Sequence, residues 1–503
     1  MTTQTYDVTD DTSKRGLITL SVMLATIMQA LDTTIANVAL PHMQGAMSAT
    51  QDQISWVLTS YIVASAIAMP LTGFVSSRIG RKQLFLYSVV GFTVTSALCG
   101  AAQSLEQMII FRLLQGIFGA SLVPLSQSVL LDTYPPKQHG SAMAMWGIGV
   151  MVGPILGPSL GGWLTEYYNW RWVFYINVPF GVLAWLGIAS SVKETRLDPS
   201  RRFDIFGFSL LGICIGCLQL FLDRGESQNW FASMEIIIEA SLSALTLYMF
   251  IVHMFTSKMP FLDPHMFRDR NFVVGLLFAF MMGVILLATL ALLPPYLQNL
   301  MGYPVLDVGL LLSPRGFGTM VGMMIVGKLS GKVDLRYLIG IGLVLMTFAL
   351  WEMTQFSVDI TNWNIIQTGI VQGFGLGLVF VPLSTLTFST LSPHYRNEGT
   401  SLYNLIRSIG SSIGISMVVT YLAHRVQINH AAFSTFITPF NRALQDAISQ
   451  GTYNIQSTTG LVTLNREVTI QASMLGYLQD FRFMMFVCIA MFPLLLLLRK
   501  PEY

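Results

Sequence analysis

Asp32 lies inside the apolar run L-I-T-L-S-V-M-L-A-T-I-M-Q-A-L-D-T-T-I-A-N-V-A-L-P at residues 17–41. A helix needs roughly 20 apolar residues to cross a bilayer, so this run spans, and the carboxylate sits within it. Placing a charged side chain near the bilayer centre costs about 2.5–3.5 kcal/mol on insertion scales, and such groups face a protein interior or a water-filled path. The chemistry open to Asp32 is therefore proton binding on a transport path. Counting 1.5 Å per residue from Leu17 puts it about 22 Å from the inner face. Arg112, near the outer start of a second run, is at about the same depth in a core of roughly 30 Å. A neighbouring arginine favours the ionised carboxylate and burial disfavours it, so relative movement of the two switches the acid between holding and releasing a proton. Asp132, Glu166, Glu352 and Asp359 fall near run ends, as do His42 and His424. Asp32 is thus the candidate for proton coupling by elimination, with Arg112 as its partner and Gln29 and Gln115 on the same helical runs.

Two further arginines lie deep in the second half of the chain. Arg315 is about 15 Å and Arg407 about 12 Å into their runs, the latter beside Asn404. With Asp32 protonated, such an interior holds arginines and no carboxylate, which favours lipophilic weak acids over lipophilic cations as substrates. Neutralisation of both arginines by helix carbonyl ends is the equal alternative.

These residues must be positioned by membrane helices. Of 503 residues, 53% are hydrophobic and only 11% charged, against about 25% charged in soluble proteins. The net charge of +2 excludes a nucleic-acid partner. Fourteen runs of spanning length lie at about 17–41, 53–77, 84–104, 107–131, 140–165, 172–192, 205–222, 235–256, 271–295, 305–327, 335–355, 363–391, 399–423 and 483–498. With the N-terminus inside, inner segments hold 19 Lys and Arg and outer segments 6, so the positive-inside rule puts both termini in the cytoplasm. The polar first 16 residues precede an uncleaved first span. Gln115-Gly116 and Val123-Pro124-Leu125-Ser126 in span four recur as Gln372-Gly373 and Val381-Pro382-Leu383-Ser384 in span twelve. The offset of eight spans resolves the chain into a six-helix bundle (17–192), an inserted pair (193–256) and a second six-helix bundle (257–503). Repeated halves with a site between them are a transporter architecture.

Cys214 and Cys217 form a C-x-x-C inside an apolar run with no second pair, which makes no metal or redox site. No P-loop, H-E-x-x-H or other catalytic set is present, so neither ATP nor enzyme chemistry is indicated, and no cofactor is expected. The inner loop with Gly73, Arg78, Gly80 and Arg81 can grip Asp132 at the end of span four as a gate, or serve simply as positive-inside anchoring. In span five, Gly153, Gly157 and Gly161 recur on one face, with Gly162 beside the last and Pro154 and Pro158 interrupting the hydrogen bonding. Small residues at that spacing let helices touch, and the prolines permit bending, as suits a gate at the junction of two rocking halves. Residues 424–482 form a Gln-, Asn- and Thr-rich outer loop, to be read either as a solvated loop or as a docking surface.

Several motifs resemble the major facilitator superfamily and, within it, the 14-span drug:proton antiporters. They are L-D-T-T-I-A-N-V-A-L-P (31–41), G-x-x-x-x-R-x-G-R-K (73–82), R-x-x-Q-G (112–116), G-P-x-x-G-G (157–162) and W-R-W-V-F-Y-I-N-V-P-F-G (170–181). L-D-R-G-E-S-Q-N-W-F (222–231), E-I-I-I (235–238) and P-F-N (439–441) are similar to the Emr-type inner-membrane pumps of Gram-negative bacteria. The resemblance implies an all-α major facilitator fold of 14 transmembrane helices (6 + 2 + 6) in the bacterial inner membrane. It implies alternating access, Asp32 and Arg112 in proton coupling and substrate binding, and export of hydrophobic toxic compounds and antibiotics, lipophilic weak acids included. It also implies a periplasmic membrane-fusion adaptor and, through it, a TolC-type outer-membrane channel. A stand-alone proton-linked carrier of a small metabolite or fatty acid is the alternative. Two departures stand out. Ser77 occupies a place where the family usually has an acid, and Gly369 stands where Arg112 would repeat.

Overall fold

The computed structural model describes residues 12–195, 197, 203–438, 440–449 and 457–499. Among them the secondary structure is helical, and the helices supply fourteen spans when one bent pair counts as a single span. Arg196, Arg201, Arg202, Lys500 and Pro439, all used in the sequence reading, lie outside the described residues.

The first six spans are α1 (Thr12–Ala46), α2 (Gln51–Ala68, continued by Leu71–Ile79), α3 (Arg81–Ala101), α4 (Leu105–Gly119, continued by Leu122–Thr133), α5 (His139–Tyr167) and α6 (Trp172–Tyr175 with Asn177–Ser191). The inserted pair is α7 (Ile205–Arg224) and α8 (Met234–Thr256). The last six are α9 (Arg270–Pro295), α10 (Val305–Leu329), α11 (Leu335–Met353), α12 (Asn362–Ser389), α13 (Arg396–Ser434) and α14 (Thr458–Ile489 with Phe492–Leu497). Starts follow capping chemistry: Thr50 and Gln53 form a reciprocal box at α2, and Ser104, Asp204, Asp269 and Ser457 accept backbone N–H bonds at α4, α7, α9 and α14. Breaks follow proline. The two segments of α2 meet at 57° across Met69-Pro70. In α4, Pro124 has no N–H for the Ala120 carbonyl four residues back, and the helix interrupts there.

The packing repeats. α1 lies on α5 and α9 on α13; α2 lies on α4 and α10 on α12; α3 lies on α6 and α11 on α14. The inserted α7 packs on α8 and contacts both α2 and α13, bridging the halves. The halves also meet along α5 and α10. Ser330 abuts Gly140, Gly327 abuts Ala144, Met323 abuts Gly147 and Ile155 abuts Gly316.

Three expectations are corrected. First, the glycine stripe of α5 does not face the second half. A Cβ at Gly153 would sit 2.5 Å from the Ala30 carbonyl carbon, one at Gly157 2.1 Å from Thr34 Oγ1, and one at Gly161 3.0 Å from Ile35. The stripe seats α5 on α1, and Thr34 Oγ1 donates to the Gly153 carbonyl at 3.1 Å. Adding side-chain volume to such a contact costs about 1–3 kcal/mol. Gly157→Val is therefore expected to lower the thermal midpoint of the purified protein, while the same change at Gly45, where a Cβ meets nothing within 4 Å, leaves it in place. Second, the described residues of 424–482 are largely helical. α13 runs 39 residues and α14's first segment 32, and at 1.5 Å each the former is about 58 Å long, well beyond a ~30 Å core. Asn429 Nδ2 donates to the Ala472 carbonyl at 3.3 Å, and His430 pairs with Asn465 at 3.1 Å. The two extensions thus form a paired stalk. Third, that extension carries Asp480 into the helix packing, fully buried, so Asp32 is not the only deep carboxylate.

Candidate functional site

Asp32 is fully buried and accepts three bonds. Arg112 Nη1 reaches its Oδ2 at 2.7 Å; Gln115 Nε2 and Asn177 Nδ2 reach its Oδ1 at 2.8 and 3.0 Å. Every partner donates, which suits an ionised, acceptor-only carboxylate. Arg112 is itself fully buried and makes two other bonds, to the Val57 carbonyl at 3.1 Å and to Gln115 Oε1 at 2.8 Å. The rings of Tyr61 and Phe174 lie 4.5 and 5.6 Å from its guanidinium carbon. A buried ion pair offsets its desolvation only when its remaining donors and acceptors are also satisfied, and here carbonyls, amides and aromatic faces do that. Asn177 also donates to Ser96 Oγ at 2.9 Å, and Gln29 Nε2 donates to Tyr61 OH at 3.3 Å.

The network ties α1, α2, α4 and α6 to one carboxyl group. Adding a proton to Asp32 replaces an acceptor with a donor and weakens up to three contacts at once. Sequence reasoning paired Asp32 with Arg112, Gln115 and Gln29 but passed over Asn177, Tyr61 and Ser96. The available signal for Asn177 was its place inside W-R-W-V-F-Y-I-N-V-P-F-G, three residues after Phe174.

The second-half residues do not join this cluster. Arg407 Nη2 donates to Asn404 Oδ1 at 3.1 Å, and Asn404 Nδ2 reaches Gln127 Oε1 of α4 at 2.6 Å, so this pair touches the first half. Phe380 lies 5.9 Å beneath the Arg407 guanidinium and stacks on Trp146 of α5 at 6.1 Å. Among the described residues Arg407 Nε has no partner. Arg315 is buried, its Nη1 has no partner, and among the described residues no hydrogen bond or ion pair of its side chain is found. Its neighbour Gly369 leaves room beside it, with 3.6 Å between a built Cβ and that of Arg315.

At the Lys/Arg-rich end, Asp132 is held between Arg81 at 2.5 Å and Arg396, the first residue of α13. Arg81 also donates to Ser128 Oγ at 2.8 Å. Ser128 bonds Asn397, whose Nδ2 reaches Ser76 Oγ at 3.1 Å. A Cβ on Gly73 would lie 2.5 Å from Glu398 Cγ, so α2 sits directly on α13. The loop between α2 and α3 and the helix ends beside it are therefore engaged with the second half, and this end is closed. Arg78 is exposed. Ser77, in the acid's usual place, folds back on the Phe74 carbonyl at 2.7 Å. The carboxylate facing this turn comes instead from Glu194, which accepts from the backbone of Lys82 and Gln83 at 3.0 and 3.1 Å. Gly80 has φ +96° and a built Cβ 2.4 Å from that carboxyl group. Left-handed strain of about 1–3 kcal/mol plus this clash make Gly80→Ala markedly destabilising, to be read as a lower thermal midpoint.

The Major Facilitator Superfamily profile matches residues 22–415. The chain is 36% identical over 488 residues to the fatty acid resistance protein FarB of Neisseria gonorrhoeae, covering 96% of each. It is 38% identical over 437 residues to the multidrug export protein EmrB of Escherichia coli (strain K12), covering 86% of this chain and 85% of that one. Among solved structures, the human organic anion transporter MFSD10 (TETRAN) superimposes with a TM-score of 0.60 at 15% identity, covering 94% of this chain and 99% of that one.

Proposed function

The chain belongs to the major facilitator superfamily, a family of transporters, and is a multi-pass protein of the bacterial inner membrane; from that premise we propose that it is a proton-driven exporter of hydrophobic toxic compounds, lipophilic weak acids among them. The observation that carries the proton step is the Asp32–Arg112 pair, sealed from solvent and tied to four helices. Protonation of Asp32 frees Arg112 from its counter-ion and loosens the first bundle. Deprotonation on the other side restores the pair and resets it. The closed end is the cytoplasmic one, by its Lys and Arg content, and Arg81, Asp132 and Arg396 form its latch.

The weak-acid preference is supported by the buried Arg315 and the partly buried Arg407, each with an unpartnered nitrogen and, among the described residues, with no carboxylate bonded to it. Relatives named for multidrug export and fatty acid resistance support the same class. The stalk of α13 and α14, with Phe436 and Phe440 exposed near its tip, is the surface offered to a periplasmic adaptor and thereby to an outer-membrane channel.

The test is efflux from proteoliposomes under an imposed proton gradient, using a lipophilic carboxylic acid and a cation of equal lipophilicity. Gradient-driven export of the acid is expected in the wild type. Arg315→Gln is expected to raise KM for the acid by about tenfold, the equivalent of one lost charge-assisted bond of roughly 1.4 kcal/mol, and to leave the cation's KM in place. Equal effects on both substrates would overturn the anion-site reading.

A further inference from the structure

Asp480 has no place in the mechanism above, and its surroundings are unlike those of Asp32. It is fully buried, and among the described residues neither carboxyl oxygen has a hydrogen-bond partner. Its direction in the fold is set by its neighbours on α14. Tyr477, three residues before, packs edge-on against Tyr296 at 5.3 Å, and Phe481 packs against the same ring at 6.4 Å. Met484, one turn after, accepts from Thr289 Oγ1 at 3.7 Å. Residues four apart share a helix face, so Asp480 lies on the face of α14 turned to α9, between the levels of Tyr296 and Thr289.

That location answers to the first-half site. Gln372 repeats Gln115 with an offset of 257 residues, and the same offset takes Asp32 to Thr289 and Arg112 to Gly369. The geometry follows: Gln115 Nε2 donates to Asp32, and Gln372 Nε2 reaches Thr289 Oγ1 at 3.4 Å. α6 supplies Asn177 to the first site, three residues after the buried Phe174. α14 is the sixth helix of the second half and presents Asp480 three residues after the buried Tyr477. Besides Glu398 at the basic end, the second half thus buries a carboxylic acid beside the position that answers to Asp32. In the second half the acid has moved from the first helix to the sixth, and the arginine is replaced by glycine.

A carboxylate taken out of water without a counter-charge or N–H donors is strongly disfavoured, and such a group takes up a proton instead. Titratable side chains on the elements packed against α14 include Tyr296, which follows α9, Arg336, Tyr337 and Glu352 on α11, and Tyr421, His424 and Arg425 on α13. On α14 itself they are Arg466, Glu467, Tyr477, the exposed Arg482 and Cys488. None makes a hydrogen bond or ion pair with Asp480. Gln372 Oε1, in the same half, is likewise buried and, among the described residues, without a partner. We infer that Asp480 is a second proton-binding site, loaded in the conformation seen here and unloaded when the second half rearranges, so that one transport cycle moves one more proton than Asp32 alone accounts for. This rests on the proton-driven reading given above.

The experiment measures proton-to-substrate stoichiometry by reversal potential in proteoliposomes, alongside infrared spectra of the purified full chain across pH. Asp480→Asn is expected to lower the stoichiometry by one proton and to remove a carbonyl band of a protonated buried carboxyl group. Asp480→Glu is expected to retain both features. An unchanged stoichiometry in Asp480→Asn overturns the inference. If Asp480→Asn does not assemble, the wild-type spectrum decides: absence of any protonated-carboxyl band overturns it. Failure of the underlying reading looks different. There, Asp32→Asn leaves gradient-driven export intact, while the Asp480 band is still present or absent on its own account.

Discussion

Asp32→Asn is expected to abolish gradient-driven export while leaving the folded protein able to bind substrate. The substitution keeps the size of the side chain and removes the one carboxyl group of the first-half cluster. The introduced amide still accepts from Gln115 or Asn177 through its carbonyl oxygen, and Arg112 keeps the Val57 carbonyl and Gln115 Oε1. What is lost is the counter-charge. Removing one partner of a buried pair costs about 3–5 kcal/mol, and the retained bonds place this case near the lower end. Export under an imposed gradient is expected to fall at least ~100-fold, equivalent to about 2.7 kcal/mol in a rate, with a lower thermal midpoint. Substrate binding to the detergent-solubilised protein is expected to persist, because Arg315 and Arg407 are on other helices. Efflux assays and calorimetry on the same preparation check both halves of this statement. Export at wild-type rate in Asp32→Asn would move proton coupling elsewhere.

Depth arithmetic was enough to bring Asp32 and Arg112 together, because a spanning helix has fixed rise and the membrane fixes its ends. Gln115 came with Arg112, three residues along one helix face. Asn177 stood inside the quoted 170–181 motif but was passed over, since an amide in an apolar run carries no charge to mark it and its partner is distant in sequence. Asp480 was missed for a different reason. Residues 424–482 are too polar to pass as a span, yet beyond the hydrocarbon core a helix needs no apolar surface except where it meets its neighbour. Leu464, Val468 and Ala472 are buried four residues apart along the stalk, a stripe too narrow to stand out against the surrounding Gln, Asn and Thr. The repeat was visible where it preserves residue type, at Gln115 and Gln372, and hidden where it exchanges Asp32 for Thr289. Likewise Asp132 was legible as the acid facing Arg81, whereas Arg396 looked like one more positive-inside residue. Its role depends on α13 starting directly opposite the end of α4, which is a fact of tertiary packing.

That bridging position makes Asp132→Asn the substitution with the largest expected effect on conformation. Asp132 is the common acceptor for Arg81 of the first half and Arg396 of the second, with its side chain 28% exposed and theirs 9% and 16%. Charge-assisted bonds are worth about 1.5–3 kcal/mol each, and partial exposure discounts them, so roughly 2 kcal/mol of closing free energy is at stake. Only the interaction of Arg396 with Asp132 differs fully between closed and open states, because Arg81 and Asp132 share a half. Losing ~2 kcal/mol shifts a two-state equilibrium about 30-fold toward opening at the basic end. Spin labels at the exposed positions Gln83 of α3 and Tyr337 of α11 report on it, in a background where the half-buried Cys217 is replaced and the other cysteines are buried. A longer-distance population is expected to appear in Asp132→Asn. Arg396→Gln should show most of the same shift, and Arg81→Gln less, since it leaves the bond between halves in place. If Arg81→Gln opens the protein as far as Asp132→Asn does, the latch works by positioning α4 rather than by joining the halves. The order of the three variants therefore separates a bridge across the two bundles from a brace within one.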